Sequence, residues 1–179
     1  CDVAEVLSVA RGARLVVADP PWLYEREAGV ANPENQGIYH GLPEAEIVAH
    51  IDASYDCADP EGSRLLVWYT WTKEEEWREA GQAGKRWGRR VTAGAFTKWP
   101  RMNGGVGHHW RGMTEPVAMF TRGKAPLDRD NTCYNGAIVP QSEHSYKPVE
   151  WQRAWIRAWT SPGDLVLDLY AGLGSVAVA

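Results

Sequence analysis

The feature that most constrains this chain is a short apolar run that stops abruptly at two prolines. Leu15-Val16-Val17-Ala18 is typical of a buried strand, and Asp19-Pro20-Pro21 follows it directly. Proline lacks a backbone N–H and cannot continue a sheet ladder, so the strand must end here. The sequence therefore predicts a stiff polar loop, residues 19–22, at the carboxyl end of a strand.

A second apolar run, near the other end of the sequence, precedes a glycine turn. Residues 164–170 are predicted to form a strand, and Ala171-Gly172-Leu173-Gly174-Ser175 follows as a turn into a helix. Glycine lets such a turn adopt positive φ and approach a ligand closely. Open α/β sheets bind ligands beyond the carboxyl ends of their strands, so both loops are predicted to share one edge.

Strands and helices alternate along the rest of the sequence. Further strands are predicted at residues 64–70, 91–99 and 116–121, and helices are predicted to begin at Pro43, after Thr72 and at Pro148. In the last helix three tryptophans recur every four residues, which favours core packing. The alternation predicts an α/β sandwich with a mainly parallel sheet and helices on both faces. The length of 179 residues suits one domain, 1–179.

Composition argues against several protein classes. The sequence contains no run of about 18 apolar residues, so no transmembrane helix is predicted. The three cysteines are odd in number and widely spaced, so a reducing cytoplasm is expected. His108-His109 has no further ligands at suitable spacing, so no metal site is expected. A net charge of −4 argues against holding duplex DNA by charge alone. Residues 73–129 are basic and predict either a local nucleic-acid surface or a solvated helix face.

The residues of the first loop suit the activation of an aromatic amine. The lone pair of such an amine is delocalised into the ring, so a carboxylate on one N–H and a carbonyl on the other would draw the nitrogen toward tetrahedral geometry. Asp19 supplies the carboxylate and Pro20 the carbonyl. Trp22 offers a flat face to an unstacked base. The alternative is that Asp-Pro-Pro simply terminates the strand.

The ordered set of motifs resembles the adenine-N6 methyltransferase family. That family includes the subunit that methylates messenger-RNA adenosine and the circularly permuted beta-class DNA methyltransferases of bacteria and phages. The catalytic tetrapeptide precedes the glycine motif here, as in the permuted class. The segments that carry the resemblance are residues 19–22, 38–43, 65–68, 96–99, 107–110, 115–116, 122–123, 144–148 and 168–175.

The resemblance implies a Rossmann-like fold that uses S-adenosyl-L-methionine, without a metal, and it assigns three sets of residues. The catalytic set is Asp19, Pro20, Pro21 and Trp22. The cofactor-binding set is Asp2, Val3, Asp19, Lys147, Asp168, Tyr170, Gly172, Gly174 and Ser175. The substrate-binding set is Trp22, Tyr24, Trp110, Glu115 and Lys147.

The resemblance thus predicts methylation of the N6 amine of adenine in nucleic acid, with DNA favoured over RNA. Residues 25–43, rich in Gly and Pro, are predicted to form a loop. Target contact is expected either from this loop and residues 85–90 or from a partner subunit or a homodimer. Two alternatives stay open. A non-catalytic nucleic-acid-binding subunit is one, because the family holds the cofactor ribose with residues further along and only five residues follow Gly174, so the sequence could also be a fragment. N4-cytosine methylation is the other, although those loops usually begin with Ser and end with Tyr.

Overall fold

The computed structural model describes residues 3–22, 41–69, 85–87, 92–97, 114–124, 147, 149–172, 174, 176–177 and 179. The helices are α1 (Val3–Val9), α2 (Glu44–Cys57) and α3 (Val149–Trp159), with one 3₁₀ turn at Lys85–Trp87. The strands are β1 (Ala13–Ala18), β2 (Gly62–Trp68), β3 (Thr92–Thr97), β4 (Thr114–Gly123) and β5 (Leu165–Asp168).

The five described strands form one sheet in the order β3-β4-β2-β1-β5. β1 pairs in parallel with both β2 and β5, whereas β4 is antiparallel to β2 and to β3. Four strands therefore run in one direction and only β4 opposes them. This arrangement confirms the predicted α/β fold with a mainly parallel sheet, and it places the carboxyl ends of β1, β2 and β5 on one edge.

Side chains alternate along the strands, so each strand places apolar side chains on both faces of the sheet. Helices cover both of these faces. Val16, Leu65 and Val67 lie on the face covered by α1 and α2. Leu15, Val17, Leu66 and Trp68 lie on the opposite face, against α3. The apolar run that the sequence showed at residues 15–18 is thus buried on both sides, as expected of a strand inside a parallel sheet.

The tryptophan stripe of α3 packs into the core, as predicted. The Trp151 ring stacks on Trp68 at 6.3 Å between centroids, and Trp155 lies 5.6 Å from the same ring. Trp159 stacks on Trp155 at 6.4 Å. The spacing of four residues places all three rings along one side of α3, and that side buries against β2.

α2 begins where the sequence predicted, directly after Pro43. The carbonyl of Pro43 accepts the backbone N–H of Ile47 at 3.1 Å, and Glu44 and Glu46 lie in the first turn, where the helix dipole favours negative charge. Ile47 and Ile51 are buried against the sheet. Leu42 before α2 bridges Trp22 beyond the end of β1, and Ala58 after α2 bridges Ala13 at the start of β1. α2 therefore runs antiparallel to β1, and its amino end lies near the edge that carries the two loops.

Some element bounds differ from the predictions, and one helix was not predicted. β5 ends at Asp168 instead of Tyr170, because the Tyr170 N–H bonds to the Asp168 carboxylate and the chain turns. α1 gave no clear signal because it has only seven residues. The helix predicted after Thr72 and most of the loop predicted at 25–43 lie outside the described residues. No helix of the described ranges is long and apolar enough to cross a membrane.

The buried sheet core predicts a large difference between two identical substitutions. Leu65 is fully buried in β2, while Leu165 in β5 is 42 % exposed. Leu65→Ala leaves a cavity and is expected to lower the free energy of unfolding by about 2–5 kcal/mol. Leu165→Ala is the matched control and is expected to cost less than about 1 kcal/mol. Urea unfolding measures both, and equal losses would contradict this placement of β2 at the centre of the core.

Candidate active site

The two predicted loops lie side by side because β1 and β5 are adjacent and parallel. Val17 is in register with Asp168, and the Leu169 N–H donates to the Val17 carbonyl at 2.9 Å. Asp19 and the glycine turn therefore leave the sheet together at its carboxyl edge. Residues about 150 positions apart in the sequence become neighbours, as the fold rule predicted.

An ion pair occupies this edge. The Lys147 Nζ lies 3.0 Å from the Asp19 Oδ2, with the side chains 11 % and 30 % exposed. The same Nζ lies 4.8 Å from the centroid of the Trp68 ring, a cation–π distance. Lys147 thus joins the ends of β1 and β2 from its position just before α3. The Asp19 side chain keeps nearly a third of its surface exposed, so the ion pair leaves it accessible to a ligand.

Asp168 adds a second carboxylate beside the first. Burial raises its pKa to about 6, the Tyr170 N–H opposes this rise by donating to Oδ1 at 3.2 Å, and the negative charge of Asp19 adds to it. Two acids and one cation thus share a small region in which ionisation is costly. A perturbed carboxyl next to a specific charge partner is a physical marker of a functional site.

The Asp-Pro-Pro loop is fixed by backbone hydrogen bonds. The Trp22 N–H donates to the Pro20 carbonyl at 2.9 Å, and the Leu42 N–H donates to the Pro21 carbonyl at 2.8 Å. Trp22 and Leu42 also form a parallel bridge. The loop is therefore anchored to the start of α2. The Pro20 carbonyl retains a second lone pair, since a carbonyl oxygen can accept two hydrogen bonds.

Trp22 is buried, whereas a platform for base stacking needs an exposed ring face. Its side chain is 8 % exposed and belongs to the core on the α2 side, and its Nε1 donates to the Trp68 carbonyl at 3.1 Å. The sequence pattern suggested an open ring face, but the indole instead connects the loop to β2. Stacking of a base on Trp22 stays a prediction, for which only a small part of the ring is exposed.

The glycine turn combines positive φ angles with a fixed tyrosine. Gly172 and Gly174 have φ of 51° and 80°, which L side chains rarely adopt. The Gly174 N–H closes the turn on the Ala171 carbonyl at 2.6 Å. The Tyr170 Oη lies 3.1 Å from the His50 Nδ1, and burial, followed by the charge of Glu46, raises the pKa of the tyrosine.

The remaining predicted residues are placed only in part. Glu115 lies in β4 opposite Phe96, two residues beyond the Val117 that pairs with Trp68, so its backbone is at the same edge. Val3 begins α1, whose Leu7 carbonyl accepts the Cys57 Sγ–H at the far end of α2. The predicted site residues outside the described part of the chain are Asp2, Tyr24, Trp110 and Ser175.

Two contributors to this edge carried no role in the sequence analysis. Trp68 was part of a motif, but only the structure shows its ring under Lys147 and its carbonyl on Trp22. His50 gave no signal, since a lone histidine on a helix is usually structural. Among the described residues, no group of three or more His, Cys, Asp or Glu side chains could hold a metal ion.

Several solved structures are similar in fold to this chain. The crystal structure of the M1.HpyAVI–SAM complex matches with a TM-score of 0.65 and 13 % identity, over 99 % of this chain and 83 % of the other. TTHA0409 of Thermus thermophilus, assigned as a DNA modification methylase, matches with a TM-score of 0.62 and 16 % identity, over 99 % and 80 %. Its complex with S-adenosyl-L-methionine gives 0.59 and 15 %, over 99 % and 81 %.

At this level of identity the likeness establishes a shared Rossmann-like α/β fold. No protein-family profile matches the sequence, and no curated protein is significantly similar to it. The strands described above thus belong to a known architecture, although the sequence is only 13–16 % identical to these proteins.

The pKa of Asp168 predicts a pH-dependent stability. Its ordinary value is 3.8 and its folded value is about 6, so the folded state binds the extra proton between those pH values. The stability contributed by this group is complete below about pH 4 and is lost as the pH rises through 6. Asp168→Asn cannot ionise, so we expect its stability relative to wild type to increase from pH 4 to pH 7. Urea unfolding across that range checks this, and a constant difference would contradict it.

Proposed function

We propose that this chain is an S-adenosyl-L-methionine-dependent methyltransferase that acts on the N6 amine of adenine in DNA. The observation that carries the proposal is the juxtaposition of Asp19 with Lys147 and Asp168 where β1 and β5 end. This edge combines a stiff Asp-Pro-Pro loop with a glycine turn. The similarity of fold to M1.HpyAVI and TTHA0409, both solved with the cofactor, supports the choice of cofactor and substrate class.

The residues at the edge fit the proposed cofactor. Among the described residues, a Cβ added at Gly172 would meet only the Tyr170 carbonyl, at the ordinary contact distance of 3.9 Å, so the turn is not crowded at this position. Asp168 and Asp19 offer acceptors to a methionyl ammonium. Tyr170, Gly172 and Gly174 would form the loop that lines the cofactor, and the roles of Val3, Asp2 and Ser175 stay predictions. When bound, the cofactor supplies an electrophilic methyl group on a sulfonium.

Asp19 and Pro20 would prepare the amine for attack. The Asp19 carboxylate accepts one N–H of the adenine N6 group, and the Pro20 carbonyl accepts the other through its second lone pair. The nitrogen lone pair would then leave the ring plane and point in line at the methyl carbon. As the N–C bond forms, the C–S bond of the sulfonium would break and its electron pair would stay on sulfur, so that a neutral thioether would leave. The nitrogen gains the methyl group and loses one proton, which Asp19 accepts and passes to water.

Lys147 would act by orienting the carboxylate. Its contact with Oδ2 fixes one side of the Asp19 group, and its place over the Trp68 ring fixes the ammonium in turn. Positioning of this kind supplies much of the rate in a direct transfer, because the reacting atoms must be collinear. The substrate roles of Glu115, Tyr24 and Trp110, and assembly with a partner subunit or a second copy, remain part of the proposal.

Methyl transfer from labelled S-adenosyl-L-methionine tests the proposal. Wild-type protein is expected to label adenine-containing DNA, with N6-methyladenine as the product after nucleoside analysis. Asp19→Asn keeps the shape but weakens acceptance of the N–H and of the proton, so we expect a loss of about 10²–10⁴-fold. Asp59→Asn is the control, because Asp59 lies at the opposite edge of the sheet. There its Oδ2 pairs with the Arg14 Nε at 3.3 Å.

The products also separate the competing functions. Label in cytosine of an adenine-free oligonucleotide would replace the proposal by N4-cytosine methylation. Label in RNA but not in DNA would change the substrate class. Absence of both transfer and calorimetric binding of the cofactor would indicate a non-catalytic subunit.

A further inference from the structure

α2 and the residue two positions before it contact both of the loops at the carboxyl edge. Leu42, which precedes the N-cap Pro43, donates its N–H to the Pro21 carbonyl and bridges Trp22. Farther along the helix, His50 reaches the glycine turn, where its Nδ1 lies 3.1 Å from the Tyr170 Oη. One rigid helix therefore connects the Asp-Pro-Pro loop to the turn that follows β5.

Tyr170 is held at both of its ends. Its backbone N–H donates to the Asp168 Oδ1 at 3.2 Å, and its phenol meets His50. The His50 and Tyr170 rings are 6.1 Å apart and tilted by 49°, so the contact between them is a hydrogen bond and not a stack. Both side chains are half-buried, which limits competition from water for this bond.

We propose that His50 is a positioning residue that fixes the glycine turn, through Tyr170, in the conformation that receives the cofactor. His50 itself touches neither substrate nor cofactor in this proposal. Its hydrogen bond to Tyr170 fixes the path of the backbone from Tyr170 through the following glycines after β5 ends. The effect on cofactor binding rests on the proposed function, whereas the effect on the turn is a property of the fold.

The Tyr170 hydroxyl and the imidazole can bond in either direction, depending on the tautomer. An asparagine can place a polar atom near the position of Nδ1, so His50→Asn is expected to retain the bond. His50→Phe keeps a ring of similar size but loses the bond. Tyr170→Phe removes the same bond from the other side. Asp52→Ala is a control on the same helix, because Asp52 faces Arg86 at 3.9 Å.

Two measurements on the full chain test the proposal. Hydrogen exchange of the peptide covering residues 169–174, without cofactor, reports the turn itself. It is expected to rise several-fold in His50→Phe and to stay at the wild-type level in His50→Asn and Asp52→Ala. Calorimetry with S-adenosyl-L-methionine is expected to give a Kd about three- to tenfold higher in His50→Phe, the range for one hydrogen bond. In labelled transfer, kcat at saturating cofactor should change little.

A double-mutant cycle identifies the route of the effect. If His50 acts through Tyr170, the combined His50→Phe and Tyr170→Phe variant should bind no more weakly than either single variant. Unchanged exchange in His50→Phe, or additive losses in the double variant, would overturn the proposal. If wild type binds no cofactor but exchange still rises in His50→Phe, the proposed function fails while the positioning role stands.

Discussion

The parallel pairing of β1 with β5 is the interaction on which the candidate site depends. It aligns Val17 with Asp168, so two loops from distant parts of the chain leave the sheet at the same level. The candidate site needs both loops, since the Asp-Pro-Pro loop carries the carboxylate and the carbonyl and the turn after β5 carries the glycines. A shift of one residue in this register would turn Asp168 to the opposite face and separate it from Asp19.

The electrostatics of the edge follow from its depth in the fold. Trp68 closes one side of Lys147, and burial makes ionisation of Asp168 costly. One ammonium therefore serves a region that contains two carboxyl groups, and the neighbouring negative charge adds to the cost. A region with this unequal balance favours a cationic ligand, because added positive charge would relieve the repulsion between the acids.

Much of this arrangement was predictable from local sequence. The prolines after Ala18, the glycines after Asp168 and the tryptophan spacing in α3 act within a few residues, so the strand end, the turn and the packing followed from them. The depth of Trp22 and the contact of His50 with Tyr170 were not predictable. They depend on how α2 packs across the sheet, and no local pattern encodes a contact over 120 positions. The short α1 was not predicted for a related reason, since its stability comes from packing on the core and not from a local sequence pattern.

The burial of Trp22 makes the conformation of the Asp-Pro-Pro loop depend on the hydrophobic core. Its indole packs among core side chains and its N–H is bonded to the backbone of β2, so the loop cannot detach while that core persists. On heating, release of this loop should therefore coincide with global melting instead of preceding it. Stabilising the interior is therefore a direct way to raise the temperature up to which this loop keeps its conformation.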